Sequence, residues 1–258
     1  MSSLRGLAVL RGRLLLAGAS AAQEPPTDRD RDIAAFRSFF LERDIAYGAE
    51  ARAEAEARLI ALASAPDLDD DAFEVGLAQI VALADNGHSV LVAGPRSGRN
   101  RRIAVRLEPF GESFHVLRAR GEHSDLLGAR LVAIAGRPVG EVRDAARTLF
   151  GGTPSLRDRS VSVIMESPSQ LRVLGISPDA QAADYTFQTA DGRLVERRMT
   201  AEDIGSNRGT VRRNFYPEMR NEEVGWVAAL PAASAPWSLL DPSDPFRWRE
   251  EPAVDGLV

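Results

Sequence analysis

The residues best suited to chemistry lie in one polar pentapeptide, DNGHS at 85–89, between a helical stretch and an extended one. An imidazole titrates near neutral pH, so His88 could take and return a proton as a general base. A purely structural interpretation also fits, in which the turn ends a helix and the His88 ring hydrogen-bonds a carbonyl. Ser89 gives no evidence of a dyad, because neighbouring side chains on a strand point to opposite faces.

A second candidate site is the apolar stretch LLGARLVAIAGRPVGEV at 126–142. A strand, a tight turn and an amphipathic helix can form a groove that accepts a peptide by strand addition. An ordinary core element of an α+β fold has the same pattern. Both interpretations stay open on the residues alone.

The composition excludes several kinds of chemistry. Cysteine is absent and all 32 Lys+Arg positions are arginine, so this chain supplies no thiolate, no Schiff-base lysine and no Ser–Lys dyad. The formal net charge of −5 gives no global basic field for nucleic acid. The histidines at 88, 115 and 123 lack the HExxH spacing of a zinc site. The sequence therefore indicates no metal, no cofactor and no nucleic-acid partner.

Two other residue sets are interpreted as structural. Arginine clusters at 99–102, 197–198 and 212–213 could bind carboxylates or phosphates, but in an acidic chain solvated faces explain them better. The tryptophans at 226, 237 and 248 are typical of a core or of an interdomain seam. A phosphate-binding glycine loop and a GxSxG nucleophile elbow are both missing from the sequence.

The candidate residues sit where the hydrophobic period changes. Helical spacing predicts a first helix with Ile33, Phe36, Phe39 and Phe40 on one face, a second at 50–65, and a third from 69–71 to a left-handed end at 86–87. Alternation then predicts strands at 90–92, 103–107, 114–118 and 131–134, a turn at Gly136, helices at 141–150, 155–165 and 169–174, a hairpin around 189–192, and a strand at 224–230. The pattern predicts an α+β fold, with a helical N-terminal subdomain at 23–88 and an α+β domain at 89–230.

The chain ends carry predictions of their own. A positive leader, a short apolar run and the small residues at 19–21 predict a signal peptide at 1–22, and therefore a periplasmic or secreted protein. Elsewhere the sequence contains no apolar run of 18 or more residues, which predicts no membrane span.

The order of these pieces resembles the N-terminal half of the C-terminal-processing, or tail-specific, serine protease family. That family has a helical subdomain ending in an Asp-Gly-His-Thr-like turn, which DNGHS matches at 85–89. Its PDZ-like stretch "Gly-x-x-hydrophobic-x-x-Ile-Asn-Gly-x-Pro-Val" is matched from Gly128 to Val139, with Ala135 in place of Asn. The similarity covers roughly 33–175. Because the chain has no Lys for a dyad, the resemblance is to the tricorn-like branch, which pairs Ser with His.

The resemblance implies a role for each candidate site. His88 would be the general base for a serine in a catalytic domain that lies beyond this chain, with 231–258 as a linker and the truncated start of that domain. Leu126, Leu127 and Gly128 would form the loop of a PDZ-like domain that captures the C-termini of peptides or unfolded proteins. We therefore expect a serine-type endopeptidase-family protein that is inactive alone. The alternative is an autonomous PDZ-like peptide-binding adaptor without enzymatic activity.

Overall fold

The computed structural model describes residues 27–65, 68–94, 97–203 and 225–240. The predicted signal peptide, the arginines at 212–213, Trp248 and most of the predicted C-terminal linker lie outside these residues. The described chain has an α+β fold, as the sequence predicts. Its helices are α1 (Asp28–Ala35), α2 (Ala49–Ser64), α3 (Asp70–Ala82), α4 (Val139–Arg147), α5 (Pro154–Met165) and α6 (Pro168–Val173).

Side-chain caps explain where the first helices begin. Thr27 and Asp30 form a reciprocal capping box at the start of α1. The Asp69 carboxylate accepts the Ala72 N–H at the start of α3, next to the negative charges that a helix N-terminus favours. Within the part of the chain that the structure describes, no helix is both long and apolar enough to cross a membrane.

The first helix departs from its predicted face. After α1 the chain continues through a π-helical turn at Phe36–Leu41, which is wider than an α-helical turn. Phe36 and Phe40 still pack against the helical core, but Phe39 is 70% exposed. The prediction that all four apolar residues share one face was therefore wrong for Phe39, because the wider turn changes the angular spacing.

The strands form one large antiparallel sheet and a small separate ribbon. The large sheet has the order β2-β3-β4-β6-β7, with β5 paired to β4 and β9 paired to β3, and β1 pairs with β8 in the ribbon. The strand bounds are β1 (Arg101–Arg102), β2 (Val105–Phe110), β3 (Ser113–Arg120), β4 (Arg130–Ile134), β5 (Arg137–Pro138), β6 (Ala182–Gln188), β7 (Leu194–Thr200), β8 (Glu202–Asp203) and β9 (Trp226–Ala228). The predicted strands after residue 100 and the hairpin around 189–192 are thereby confirmed.

Two predictions around the DNGHS turn were wrong. The stretch at 90–92 forms no strand, and Val90 and Val92 are 48% and 63% exposed. Only Leu91 between them packs inward, so the alternation marks an extended connection that inserts one side chain. The left-handed residue after α3 is Asp85, at φ 46°, rather than Asn86 or Gly87. Aspartate tolerates this conformation, and tertiary hydrogen bonds described below hold it there.

The hydrophobic core has two parts that share helix α3. Val75 and Ala78 of α3 belong to the larger cluster around the sheet, whereas Leu77 and Ile80 belong to the smaller cluster among the first helices. Leu91 packs against both clusters. The helical segment is thus anchored to the sheet through α3. The predicted domain division at residue 88 stays a prediction.

A buried carboxylate closes the outer edge of β2. Glu166, at the end of α5, is 1% exposed, and its Oε1 accepts the Leu107 N–H at 2.8 Å. Its Oε2 lies 2.9 Å from Arg102 and 3.4 Å from Arg106, and its backbone carbonyl accepts the Ile103 N–H at 2.9 Å. The helix α5 and the sheet are therefore joined by side-chain and backbone bonds from one residue. The interpretation of the arginines at 99–102 as a solvated face was therefore wrong for Arg102, and also for Arg99, which is buried in an ion pair with Glu74.

We predict that Glu166→Ala destabilises the fold by about 3–5 kcal/mol, because it removes the carboxylate that neutralises two largely buried guanidinium groups and leaves the Leu107 N–H without its acceptor. Urea unfolding followed by circular dichroism measures this change. Glu112→Ala, in the exposed β2–β3 turn, is the control and should stay within about 0.5 kcal/mol of wild type. Equal stability of the two variants would contradict a role for Glu166 at the edge.

Candidate functional site

The DNGHS turn presents His88 to solvent from a locally hydrogen-bonded backbone. The Asn86 side-chain oxygen accepts the His88 N–H at 3.0 Å, and the Asn86 carbonyl accepts the Ser89 N–H at 3.0 Å. The His88 side chain is exposed. Among the described residues its ring has no hydrogen-bond partner, so the structural interpretation, in which the ring bonds a carbonyl, is not what these residues show.

A second turn, between α4 and α5, locks the DNGHS turn from the other side. Asp85 Oδ1 accepts the Gly152 N–H at 3.0 Å and lies 2.5 Å from an Arg157 nitrogen. The Arg157 Nε–H also donates to the Gly152 carbonyl at 2.9 Å. The Gly152 N–H and then the Arg157 guanidinium lower the pKa of Asp85 below its usual range. One carboxylate and one guanidinium therefore tie the two turns together.

Glycine makes this contact possible because the two backbones touch. A Cβ on Gly151 would lie 2.8 Å from the Asn86 nitrogen, and a Cβ on Gly152 would lie 2.8 Å from the Gly87 Cα. A Cβ on Gly87 would lie 2.2 Å from a methyl carbon of Leu156. Gly152 also has a φ of 92°, which disfavours any L side chain. The position of His88 thus depends on a close main-chain contact rather than on flexible side chains.

Ser89 has a partner other than histidine. Its hydroxyl donates to Asp44 Oδ2 at 2.9 Å, and Asp44 Oδ1 accepts the Ala46 N–H at 2.9 Å. The guanidinium of Arg52 contacts the Asp44 carbonyl at 2.7 Å. The Ser89 side chain therefore connects the end of the DNGHS turn to the loop before α2. This agrees with the expectation that Ser89, although it is next to His88 in the sequence, is not the nucleophile of a dyad with His88.

In the loop that is predicted to capture peptides, the backbone N–H groups already form hydrogen bonds within the protein. Leu126 is fully buried in the sheet core, and Leu127 packs against the same core. The Leu127, Gly128 and Ala129 N–H groups donate to the carbonyls of Ser124, Val116 and Leu126, respectively. An incoming carboxylate would have to displace these bonds. Peptide capture by Leu126, Leu127 and Gly128 stays a prediction, and in the described conformation it requires the loop to open.

The three histidines occupy separate environments. The Nδ1 of His115 lies 3.2 Å from the Gly128 carbonyl, and the Nδ1 of His123 lies 3.4 Å from an Arg197 nitrogen. Neither residue belongs to the turn that carries His88. In the described ranges no group of three or more His, Asp or Glu side chains is arranged to hold a metal ion.

Sequence reasoning missed Arg157, Gly152 and Asp44, which hold the His88 turn. The signal for Gly152 was the GGTP run at 151–154, which the sequence pattern marks only as a separator, and no signal pointed to Arg157. A double glycine directly before a helix start often marks a close backbone approach. Nothing in the sequence links Asp44 to Ser89, which is 45 residues further on.

Comparison with known proteins shows a distant likeness over part of the fold. No protein-family model and no curated protein matches the chain. Solved structures of CPAF, a chlamydial serine protease, match at 13–14% identity. A CPAF point mutant superposes with a TM-score of 0.46, mature CPAF complexed with lactacystin with 0.43, and mature CPAF with 0.44.

These matches cover 68% of this chain and 33–34% of the CPAF chains, so this chain spans about a third of their length. At this identity and with TM-scores below 0.5, the likeness carries no conclusion about this chain. It establishes neither the tail-specific family, nor its tricorn-like branch, nor an activity.

We predict that Gly151→Ala destabilises the protein by about 1–3 kcal/mol, because the new methyl group meets the backbone of the DNGHS turn. The matched control is Gly140→Ala in α4, where a Cβ meets nothing within 4 Å. That variant should be neutral or more stable by up to about 1 kcal/mol. Chemical unfolding measures both, and an equal effect at the two positions would contradict the close contact.

We predict a pH-dependent effect for Asp85→Asn. The folded-state pKa of Asp85 is depressed, so its stabilising contribution is present above the unfolded-state value near 3.8 and is lost as pH falls through the folded-state pKa. The stability difference between wild type and Asp85→Asn should therefore be largest near neutral pH and shrink below about pH 4. Asparagine tolerates the left-handed backbone at this position, so the comparison isolates the charge. Urea titrations between pH 3 and 7 test this, and a difference independent of pH would refute it.

Proposed function

We propose that this chain supplies the histidine-bearing part of a serine-type peptidase, with His88 as the general base. The observation that supports the proposal is an exposed imidazole, unpartnered among the described residues, on a turn held by main-chain contact with Gly151 and Gly152. General bases need a fixed position more than they need burial, since proton transfer requires a reacting oxygen within about 3 Å. The resemblance of DNGHS to the corresponding turn of tail-specific proteases agrees with this role.

In the proposed reaction His88 takes the proton of a serine hydroxyl as that oxygen attacks the peptide carbonyl. The imidazolium then gives this proton to the leaving amine, and the acyl-enzyme is hydrolysed by a water that His88 activates in the same way. The serine belongs to a segment outside the described residues. The described residues alone are therefore proposed to be inactive.

The α+β domain is proposed to bind the substrate chain end, as the PDZ-like stretch at 128–139 suggests. The internal hydrogen bonds of the Leu127 and Gly128 amides make this a binding mode that requires loop opening. The proposed substrates are the C-termini of exported or unfolded proteins. Assignment to the tricorn-like branch and a periplasmic or secreted location are parts of the same proposal.

The decisive experiment labels the protein isolated from its own cells with a fluorophosphonate probe, which reacts with activated serines. We expect labelling of a serine in the assembly that contains this chain, and a loss of about 100-fold or more in labelling rate with His88→Ala. His115→Ala and His123→Ala are the matched controls and should label like wild type. Because His88 is exposed, His88→Ala should keep the wild-type melting temperature.

Two outcomes would overturn this proposal. The first is labelling at the wild-type rate in His88→Ala. The second is an unlabelled wild-type protein that nevertheless binds C-terminal peptides and loses them when the carboxylate is amidated, which would identify the peptide-binding adaptor instead.

A further inference from the structure

The outer edge of strand β7 is an unpaired strand edge in the described fold. The strand β7 pairs only with β6, in a continuous register from Ala182 opposite Thr200 to Gln188 opposite Leu194. This pairing has no bulge, and β7 has no proline. Bulges and prolines are common devices by which proteins prevent an edge strand from pairing with another chain. The edge lacks these two devices but carries the charged residues Glu196, Arg197 and Arg198, so it is suited to strand addition only by a partner whose charges match them.

The β6–β7 ladder determines which backbone groups face outward. The Ala201 N–H donates to Gln181 and the Thr189 N–H donates to Arg193, so odd-numbered residues of this strand exchange bonds with β6. Antiparallel pairs alternate between hydrogen-bonded and non-hydrogen-bonded residues. The N–H and C=O groups of Leu194, Glu196, Arg198 and Thr200 consequently point away from β6, and the side chains of all four residues are exposed.

The side chains on this edge are complementary to the same edge of a second copy. Two β7 strands can pair in antiparallel fashion about a two-fold axis at Arg197. The outward N–H and C=O groups of Glu196 then face those of Arg198 in the other copy, and Arg198 faces Glu196 of the other copy in the same way. Opposite charges directly across an antiparallel pair are stabilising, and like charges are destabilising. An axis at Glu196 would place Glu196 opposite Glu196 of the other copy, and an axis at Arg198 would place Arg198 opposite Arg198. One register is therefore favoured over its two neighbours.

The remaining charges on the edge permit this register. Glu196 has no hydrogen-bond or ion-pair partner among the described residues. The terminal nitrogens of Arg198 contact Asp179 at 2.6 Å and Asp184 at 3.3 Å, so Glu196 of a second copy would share this guanidinium with two carboxylates and would bind its Nε–H. Arg197, which would face its own copy, is already neutralised by two 2.9 Å bonds to Asp125.

We propose that two copies of this chain pair through their β7 strands, in the antiparallel register centred on Arg197. On the other face of the strand, this register places Val195 of each copy across from Met199 of the other copy. The four outward residues of each copy form four hydrogen-bonded pairs, each of which exchanges two backbone bonds. The proposal does not depend on the peptidase activity proposed above, since it uses none of the residues near His88.

The test is sedimentation of the full chain over a concentration series, with Glu196→Arg as the disrupting variant. We expect wild type to form a dimer, and Glu196→Arg to raise the dimer dissociation constant roughly tenfold or more, because the variant places Arg opposite Arg twice. The matched control is Glu112→Arg, the same charge change in the exposed β2–β3 turn, which should dimerise like wild type. A wild-type monomer at every concentration, or a Glu196→Arg dimer as tight as wild type, would overturn the proposal.

Mixing two variants sharpens the test. Arg198→Glu places Glu opposite Glu in its own dimer, but a mixed pair with Glu196→Arg restores two opposite-charge contacts. Two variants that are each monomeric should therefore form a heterodimer when mixed. Arg198→Glu also loses its bonds to Asp179 and Asp184, so its melting temperature is measured first. If that variant unfolds, the sedimentation comparison of Glu196→Arg with Glu112→Arg decides alone.

Amide hydrogen exchange provides a readout at single residues. The outward amides of Glu196 and Arg198 should gain protection as protein concentration rises, whereas the inward amides of Val195 and Arg197 should be protected at every concentration. Protection of the outward amides only after addition of an extended peptide would assign the edge to a different partner and overturn pairing between copies.

Discussion

The position of α5 on the sheet depends on one buried carboxylate. Glu166 ends α5 and contacts the strand β2 through both its side chain and its backbone carbonyl. Burying an ion pair costs desolvation energy, which is offset only when the charged groups also make well-formed hydrogen bonds. Here the carboxylate has the Leu107 N–H and two guanidinium partners. A polar group in this position specifies one placement of α5, which an apolar contact alone would leave less sharply defined.

The position of α5 in turn determines the surroundings of His88. Arg157 lies near the start of the same helix, and Gly151 and Gly152 come just before this helix. Glu166 bonds the C-terminal end of α5 to the sheet, and the N-terminal end of α5 therefore faces the DNGHS turn. The connection runs through a rigid helix of 12 residues. A single helix therefore connects the β2 edge with the turn that carries His88.

The sequence allowed most of the local structure to be predicted, because local signals determine it. The start of the third helix near 69–71, the alternation in β3 and the hairpin near Gly192 each depend on residues close in the chain. The strand expected at 90–92 failed because the same alternation describes an extended connection that buries only Leu91. For the candidate site, the polar turn carrying His88 was predicted, but its exposure and the contacts that support it were not. Asp85 and Gly152 are 67 residues apart, and Glu166 and Leu107 are 59 apart, so no spacing rule connects them.

The two outer edges of the main sheet differ, and this difference limits how the fold can assemble. At β2 the carboxylate of Glu166 and the helix behind it take the place of a neighbouring strand, whereas no strand of the described residues lies on the outer side of β7. A sheet open on both sides can add copies indefinitely and grow into a filament. A sheet with one closed edge has a single edge at which another chain can pair. An isologous dimer occupies that edge in both copies, so no further copy can be added. The residue that docks α5 therefore also limits strand-by-strand polymerisation.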